Sequence, residues 1–239
     1  MRVSTSNCLF RSWLTLNVLW GTIALLVAIA RGQISTYGLV VVVWTAFMPP
    51  AVVFTIGRAF AWALPRFAVM RFRKAAEQGD ARAQVSLGQM YENGEGVPHD
   101  DAKAAEWYRK AALQGYPMAQ FLMGYMHANG QGVAQDDAMA ADWFRRGADQ
   151  GYARAQCSLG NMYENGRGVP QDHALACSWY EKAANRGDAV AQSNLGLMYS
   201  IGQGVPQDQE KALAWYRKAA AQGDPNARAA LKLAETGDV

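Results

Sequence analysis

Three histidines are the side chains best suited to metal binding or general-base catalysis in this chain: His99, His127 and His173. No spacing typical of a metal site joins them, and the chain has no glycine-rich phosphate loop and no nucleophile elbow. No two carboxylates stand at the spacing of an acid–base pair. The sequence therefore predicts a protein that is not an enzyme and that uses no cofactor or metal.

The three cysteines are Cys8, Cys157 and Cys177. An odd number without a repeated spacing does not predict a disulfide framework or a zinc site, and a reducing compartment fits it more easily. Cys157 and Cys177 could be redox-active, but cysteine also packs well as a small apolar residue, and we prefer that interpretation.

Tryptophans and glycines recur every 36 residues, and their positions define the elements that would carry any site. The recurring residues are Trp107, Trp143, Trp179 and Trp215, with Gly79, Gly115, Gly151, Gly187 and Gly223. Four complete units fill residues 80–223: 80–115, 116–151, 152–187 and 188–223. Residues 224–239 form a C-terminal half-repeat cap. Such a period indicates a solenoid, and the strict spacing of the tryptophans favours packing between helices over a ligand cage.

Each unit has the pattern of two helices joined by a glycine-containing turn. In the first unit, apolar residues at helical spacing predict a first helix over residues 81–92. The segment Gly94-x-Gly96-Val97-Pro98 then breaks the helix. Asp100 is placed to cap the second helix, and Gly115, which tolerates a positive φ, ends it. We expect an all-α fold, with an α-solenoid of four helix–turn–helix repeats.

The repeated residues resemble the Sel1-like repeat family, which is related to the tetratricopeptide repeats. The third unit shows the motif: Leu159-Gly160, Met162-Tyr163, Gly166, Gly168-Val169, Asp172, Ala176, Trp179-Tyr180 and Lys182-Ala183-Ala184. The second unit departs from it, with His127 for tyrosine, Ala134 for proline and Gly147 for alanine. The resemblance implies an adaptor or scaffold whose concave groove is lined by the first helix of each unit.

Positions that vary between units are not needed for stacking the repeats and are available for binding. In the first helices these variable positions form one stripe. The stripe contains Arg82, Val85, Gln89, Glu92; Met118, Phe121, Tyr125, Ala128; Arg154, Cys157, Asn161, Glu164; Val190, Ser193, Leu197 and Ser200. The predicted partner-binding residues are Arg82, Gln89, Met118, Phe121, Tyr125, Arg154, Asn161 and Leu197. The arginines favour a partner protein or peptide segment with an apolar anchor and acidic flanks.

The aromatic residues of the second unit have two interpretations. Met118, Phe121 and Tyr125 could form an exposed patch that anchors a partner, or they could pack against adjacent helices. We favour packing for Phe121 and binding for Tyr125. The asparagines that precede turn glycines could bind a peptide backbone, but their position is more typical of turns. These residues are Asn93, Asn129 and Asn165.

Charge is divided unevenly along the chain. The first 76 residues contain eight basic residues and no acidic one, whereas all 20 acidic residues follow from Glu77 onward. This asymmetry indicates a basic membrane-associated segment joined to a mildly acidic soluble domain. The basic residues border apolar runs, which argues against a nucleic-acid partner and for membrane lipid.

Residues 1–57 contain two uncharged runs, 13–30 and 34–57, each long enough to cross a bilayer. Pro49 and Pro50 lie in the second run and could prevent a full span. Basic residues flank the outer ends of the predicted hairpin, so both ends should face the cytoplasm. We expect a multi-pass protein, of the bacterial inner membrane, with repeats facing the cytoplasm.

Residues 58–79 mix basic and aromatic side chains and then form a half repeat. They could lie in the headgroup layer or form a linker helix packed on the solenoid. The sequence Ala28-Ile29-Ala30 also resembles a signal-peptidase site, so residues 1–30 could instead be removed.

Together these features predict a membrane-tethered scaffold or adaptor that binds a protein on its concave face. The alternative is an accessory subunit of a membrane or envelope complex, recognised through its transmembrane hairpin.

Overall fold

The structure is a computed structural model that describes residues 69–236, and these residues form ten α-helices. The first, α1, covers residues 69–77. It is followed by α2 (Ala81–Asn93), α3 (Asp101–Leu113), α4 (Pro117–Asn129), α5 (Asp137–Asp149), α6 (Ala153–Asn165), α7 (His173–Asn185), α8 (Ala189–Ile201), α9 (Gln209–Ala221) and α10 (Pro225–Thr236). The all-α solenoid predicted from the repeats is confirmed for this part of the chain.

The predicted transmembrane helices at 13–30 and 34–57 lie outside the described residues, as do Cys8 and residues 58–68 of the basic aromatic segment. Within residues 69–236, no helix combines the length and the apolar character that crossing a membrane requires.

The helices begin and end where the repeated residues predict. Asp100 accepts a hydrogen bond from the Lys103 backbone N–H at 3.0 Å and caps α3. The equivalent aspartates cap the other second helices: Asp136, Asp172 and Asp208. The turn that follows a first helix opens with a left-handed glycine, as at Gly94 (φ 71°). A residue without a side chain costs least in that conformation, which explains the recurring glycine.

A tyrosine or phenylalanine of each second helix lies against a glycine of the first helix in the same unit. A Cβ atom at Gly160 would be 2.9 Å from two ring carbons of Tyr180. The same pairing joins Gly124 to Phe144 and Gly196 to Tyr216. Glycine therefore lets the two helices of a unit approach each other around an aromatic ring.

Neighbouring units contact each other through their turns. In the last three units, the second glycine of the Gly-x-Gly turn packs on the start of the preceding second helix, and a Cβ atom at Gly168 would overlap the carbonyl group of Asp137. Arg167 strengthens this contact, because its guanidinium forms an ion pair with the Asp137 carboxylate at 2.7 Å. The turn therefore connects units as well as the two helices within one unit.

A buried glutamine in each first helix joins three helices. The Nε2 group of Gln120 donates to the carbonyl of Ala112 at 3.2 Å, and its Oε1 accepts from Gln150 at 2.7 Å. Gln84 and Gln192 have the same two partners in their units. Gln156 differs, because its Oε1 is buried without a hydrogen-bond partner and Arg186 stands where the other units have a glutamine.

Replacing Arg186 with glutamine should stabilise the protein. The new amide can donate to Gln156 Oε1 as Gln150 does to Gln120, and a hydrogen bond to a buried acceptor contributes about 1 kcal/mol. Urea unfolding of the full chain, followed by tryptophan fluorescence, measures the change. The reciprocal variant Gln150→Arg should destabilise the preceding unit by a similar amount. An unchanged unfolding midpoint for Arg186→Gln would show that the Gln156 oxygen is satisfied by water.

The periodic tryptophans are only partly core residues. Trp143 is buried, whereas Trp107, Trp179 and Trp215 are half-buried. A lysine ammonium lies 3.8 Å from the ring centroid of each of these three, which are paired with Lys110, Lys182 and Lys218. The expected packing between helices holds for one ring face, and the other face forms a cation–π contact.

Two pairs of consecutive first helices contact each other, α4 with α6 and α8 with α10. Consecutive second helices make no contact of that extent within residues 69–236. These contacts favour the first helices as the inner side of the stack, which is the side on which the sequence predicts the binding stripe.

Candidate functional site

The predicted stripe divides into exposed and packed positions. The first and third positions in each unit of the stripe form two rows, separated by about two turns of each first helix, and α10 extends both rows beyond the predicted stripe. Row 1 is Arg82, Met118, Arg154, Val190 and Asn226. Row 2 is Gln89, Tyr125, Asn161, Leu197 and Leu233. These two rows are called the groove surface below, and they include seven of the eight predicted partner-binding residues.

The residues of the groove surface differ in how far their side chains reach solvent. Tyr125 is 45% exposed, Val190 55% and Leu197 44%. Arg82, Arg154 and Asn161 are also exposed, whereas Gln89 and Met118 are half-buried. An exposed tyrosine and two exposed aliphatic residues on one concave side are the type of side chains that anchor protein partners.

Phe121 lies between the two rows and packs against neighbouring aromatic rings. Its ring centroid is 5.9 Å from that of Phe144 and 5.6 Å from that of Tyr152. Val85 and Ser193, at the equivalent positions of other units, are buried. The structure thus places Phe121 in the contact between helices, so less of its ring than of the Tyr125 ring is open to a partner.

The fourth position of the stripe belongs to the framework. Tyr108 donates a hydrogen bond to Glu92 at 2.5 Å, and Tyr180 donates one to Glu164 at 2.6 Å. The second unit has Phe144 in place of the tyrosine and Ala128 in place of the glutamate. In the first three units tyrosine and glutamate are present together or absent together, whereas the fourth unit has Tyr216 with Ser200.

Arg82 and Arg154 are the charged residues of the groove surface, and the capping aspartates Asp80, Asp188 and Asp224 lie two residues before Row 1. The guanidinium groups of Arg82 and Arg154 form no ion pair with any residue in 69–236. No position of the two rows holds an aspartate or glutamate. Both signs of charge are therefore present along the Row 1 end of the first helices.

The structure also shows a groove that sequence reasoning missed. It has a volume of about 310 Å³ and lies between α8 and α10, with Tyr216 of α9 also in its lining. Its lining residues are Ser193, Asn194, Leu197, Tyr216, Asn226, Ala229, Ala230 and Leu233. The signal was available, since Asn226 and Leu233 follow Val190 and Leu197 by 36 residues. Treating residues 224–239 only as a cap left them out of the stripe.

The turn asparagines bind their own helices. The Nδ2 groups of Asn129 and Asn165 donate to the carbonyls of Tyr125 and Asn161, each at 2.9 Å. Asn93 donates to the Glu95 carboxylate at 3.3 Å. These amides therefore act within the turns, as their position before a glycine suggests.

The groups considered for catalysis or metal binding do not come together. Residues 69–236 contain no cluster of histidine, cysteine and carboxylate side chains that could hold a metal ion. Burial raises the pKa of the Cys157 thiol and raises the pKa of Cys177 to about 11. A protonated thiol is a poor nucleophile, so both cysteines suit packing better than redox chemistry.

Comparison with known proteins agrees with the repeat pattern. A family model described as Sel1 repeat matches residues 68–80, 81–116, 117–152, 153–188 and 189–224. These matches begin one residue after the units that the glycines define. No curated protein matches this chain.

Two solved structures resemble the solenoid closely. A protective antigen present in uropathogenic Escherichia coli strains is 48% identical, with a TM-score of 0.62, and the alignment covers 64% of this chain and 33% of that chain. A Sel1 repeat protein from Oxalobacter formigenes is 43% identical, with a TM-score of 0.65, and the alignment covers 70% of this chain and 49% of that chain. This chain therefore spans about one third and one half of their lengths.

Proposed function

This chain belongs to the Sel1 repeat family, and from that premise we propose that it binds another protein through the groove surface while tethered to a membrane. Proteins built from Sel1 repeats act as scaffolds for protein–protein interaction. A stack of such units turns the variable positions of the first helices into one extended binding surface.

The position of Tyr125 is the observation that supports this proposal most directly. The residues that recur in every first helix are buried against other helices, as Ala119 and Gln120 are in α4. Tyr125 lies on the same helix, varies between units and is 45% exposed. An exposed aromatic side chain that the repeat does not need for stacking is a good candidate for a partner anchor.

Tethering is supported by the amino-acid sequence. The uncharged runs at 13–30 and 34–57 and the basic residues around them favour a helical hairpin with both ends in the cytoplasm. In that arrangement the solenoid would present the groove surface to cytoplasmic proteins.

Replacing Tyr125 with glutamine should weaken partner binding at least roughly tenfold, or about 1.4 kcal/mol. Glutamine is the residue that the first unit carries at this position, as Gln89, so the helix should still form. Photocrosslinking from position 125 in cells identifies the partner, and titration of the purified partner measures affinity. Leu113→Asp is the matched control, because Leu113 is exposed on a second helix and the second unit has Asp149 there.

Other outcomes would change the assignment. An unfolded Tyr125→Gln protein would make Tyr125 a core residue. If the variant folds and binds with unchanged affinity, the partner is recognised through the predicted hairpin instead of the groove surface. That result would support the accessory-subunit alternative. Deleting residues 1–57 separates these cases, since binding through the groove surface survives the deletion and binding through the hairpin does not.

A further inference from the structure

The junctions between neighbouring units share the same basic packing. Each second helix contacts the first helix of the unit that follows, as α3 contacts α4, α5 contacts α6 and α7 contacts α8. In all three cases a buried glutamine of that first helix also donates to a backbone carbonyl near the end of the second helix. Differences between junctions must therefore come from the other side chains that cross them.

The junction between the second and third units has two further polar contacts. The guanidinium of Arg145 in α5 donates to the Tyr163 hydroxyl in α6 at 2.8 Å. The turn of the third unit adds the ion pair between Arg167 and Asp137 at 2.7 Å. Each contact joins side chains from two different units, so both resist separation of the units.

The junction between the third and fourth units lacks both of these contacts. Glu181 replaces the arginine, and no hydrogen bond joins it to Tyr199 in the part of the chain that the structure describes. The ion pair is replaced by His173 and Gln203, whose Nε2 atoms are 3.3 Å apart. Because the glutamine amide carries no charge, no ion pair can form there.

The junction between the first and second units differs in the same two places. His127 replaces the tyrosine, and its Nδ1 atom is buried without a hydrogen-bond partner among residues 69–236. Gln131 replaces the arginine at the position that faces Asp101. Gln131 Oε1 and Asp101 Oδ1 are also buried without partners in this range. Buried polar atoms without partners make a contact weaker.

Contacts between first helices follow the same division. Helix α4 contacts α6, and the Phe121 ring packs on Tyr152 just before α6, whereas α2 with α4 and α6 with α8 make no contact of that extent within the described residues. Helix α8 contacts α10, and Arg73 of α1 donates to Tyr91 at 2.9 Å. The two kinds of contact thus define a central block, 116–187, and two end blocks, 69–115 and 188–236.

We propose that the junctions on either side of the central block are joints at which the solenoid opens, so that an end block detaches while the central block stays folded. In a stack of repeats each unit is held mainly by its neighbours, so the weakest junctions open first. Tyr125 and Asn161 of Row 2 stay on the central block, whereas Gln89 and Leu197 leave with the end blocks. Opening therefore shortens the groove surface, and a ligand that contacts its full length holds the solenoid closed.

Hydrogen exchange of the purified full chain, followed by mass spectrometry at increasing urea concentrations, provides the test. Peptides within one end block should exchange together, and at least roughly tenfold faster than peptides of the central block. The step in rate should fall at residues 115 and 187. One common rate for all three blocks, or rates that rise evenly towards both ends without these steps, would overturn the proposal.

Three substitutions copy the contacts of the central block into the joint before the fourth unit. Glu181→Arg supplies a donor for Tyr199, and His173→Asp with Gln203→Arg supplies the ion pair. Because two polar contacts are added, the combined variant should slow exchange of the block 188–236 roughly tenfold. Exchange of the other end block should not change.

Glu106→Arg is the matched control for this joint. It makes the same charge change as Glu181→Arg, at an exposed position of α3. Exchange of residues 188–236 should stay as in the wild-type chain. An equal slowing by the control would mean that net charge, and not the contact with Tyr199, determines the rate, and the proposal would be wrong.

The joint after the first unit needs only two substitutions. His127→Tyr supplies an acceptor for Arg109, and Gln131→Arg supplies an ion-pair partner for Asp101. This variant should slow exchange of residues 69–115 roughly tenfold and leave the opposite end block unchanged. An unchanged rate would overturn this joint.

The reciprocal variant moves the sequence of a joint into the central block. Arg145→Glu introduces the residue that the next unit carries as Glu181, and Arg167→Gln introduces the residue found at Gln203. The second and third units should then exchange separately, with a step near residue 151, while circular dichroism shows that the helices remain. A central block that still exchanges as one unit would show that these contacts do not determine where the solenoid opens. All of these measurements use the chain without a partner, so they do not depend on the proposed function.

Discussion

Replacing Gly168 with alanine should lower the free energy of unfolding by about 3 kcal/mol, which combines two costs. Gly168 has a φ of 67°, and an alanine in the left-handed region costs about 1–2 kcal/mol. The added Cβ would also overlap the Asp137 carbonyl in the preceding unit. The Asp137 carbonyl belongs to the backbone and cannot rotate away as a side chain can. The two units must therefore move apart to relieve the overlap, at a cost of about 1–3 kcal/mol. Urea unfolding of the full chain measures the loss.

Gly187→Ala is the matched control for this experiment. Gly187 has a φ of 88°, but a Cβ atom there would meet no other atom within 4 Å. This variant should therefore lose only the backbone cost of about 1–2 kcal/mol. If both variants lose the same amount, the turn does not determine the distance between units.

The framework could be predicted because each of its signals is local. Asp100 caps a helix that begins at the next residue, and Gly94 ends the helix that precedes it. Such relations lie within one turn of the chain, and the four units repeat them. The predicted first helix, 81–92, accordingly differs from the observed Ala81–Asn93 by one residue.

Contacts between units could not be predicted in the same way. A residue that is identical in every unit is required by the repeat structure. Its identity does not show which neighbouring residue it contacts. Gln84 and Gln114, for example, are 30 residues apart and become hydrogen-bond partners only after both helices of the unit have packed. The same limit affected the predicted site, since the burial of Val85 and the exposure of Val190 depend on side chains from other helices.

The groove between α8 and α10 illustrates a second limit. It results from missing bulk at Ser193 and Ala229, and an absence of side-chain volume has no signal in a pattern of apolar residues. Only comparison with Phe121, which fills the equivalent place two units earlier, makes the opening understandable from the sequence.

Replacing Tyr180 with alanine should cost about 3–5 kcal/mol, the range observed for large buried aromatic residues. The Tyr180 side chain is fully buried, and the Gly160 backbone that faces the ring has no side chain with which to fill the cavity. The variant also leaves the Glu164 carboxylate without its 2.6 Å hydrogen bond. Circular dichroism during thermal unfolding of the full chain should show a lower melting temperature. A cost below about 1 kcal/mol would contradict the burial of the ring.

A double-mutant cycle can separate the ring from its hydroxyl. The second unit of the wild-type chain already contains the equivalent of the double variant, because Phe144 and Ala128 replace the tyrosine and the glutamate there. Burial raises the pKa of the Tyr180 hydroxyl, so at neutral pH it stays protonated and can donate to Glu164.

Tyr180→Phe and Glu164→Ala should each destabilise the protein, because each leaves one polar group without its partner. The double variant should be more stable than the sum of the two losses predicts, by about 1 kcal/mol. Both losses are measured at neutral pH, because the unfolded state releases the tyrosine proton first in strongly alkaline solution and stability then falls for a separate reason. Strict additivity of the two losses would mean that the hydrogen bond contributes nothing. The joint change from Tyr–Glu to Phe–Ala in the second unit would then have no energetic basis in this contact.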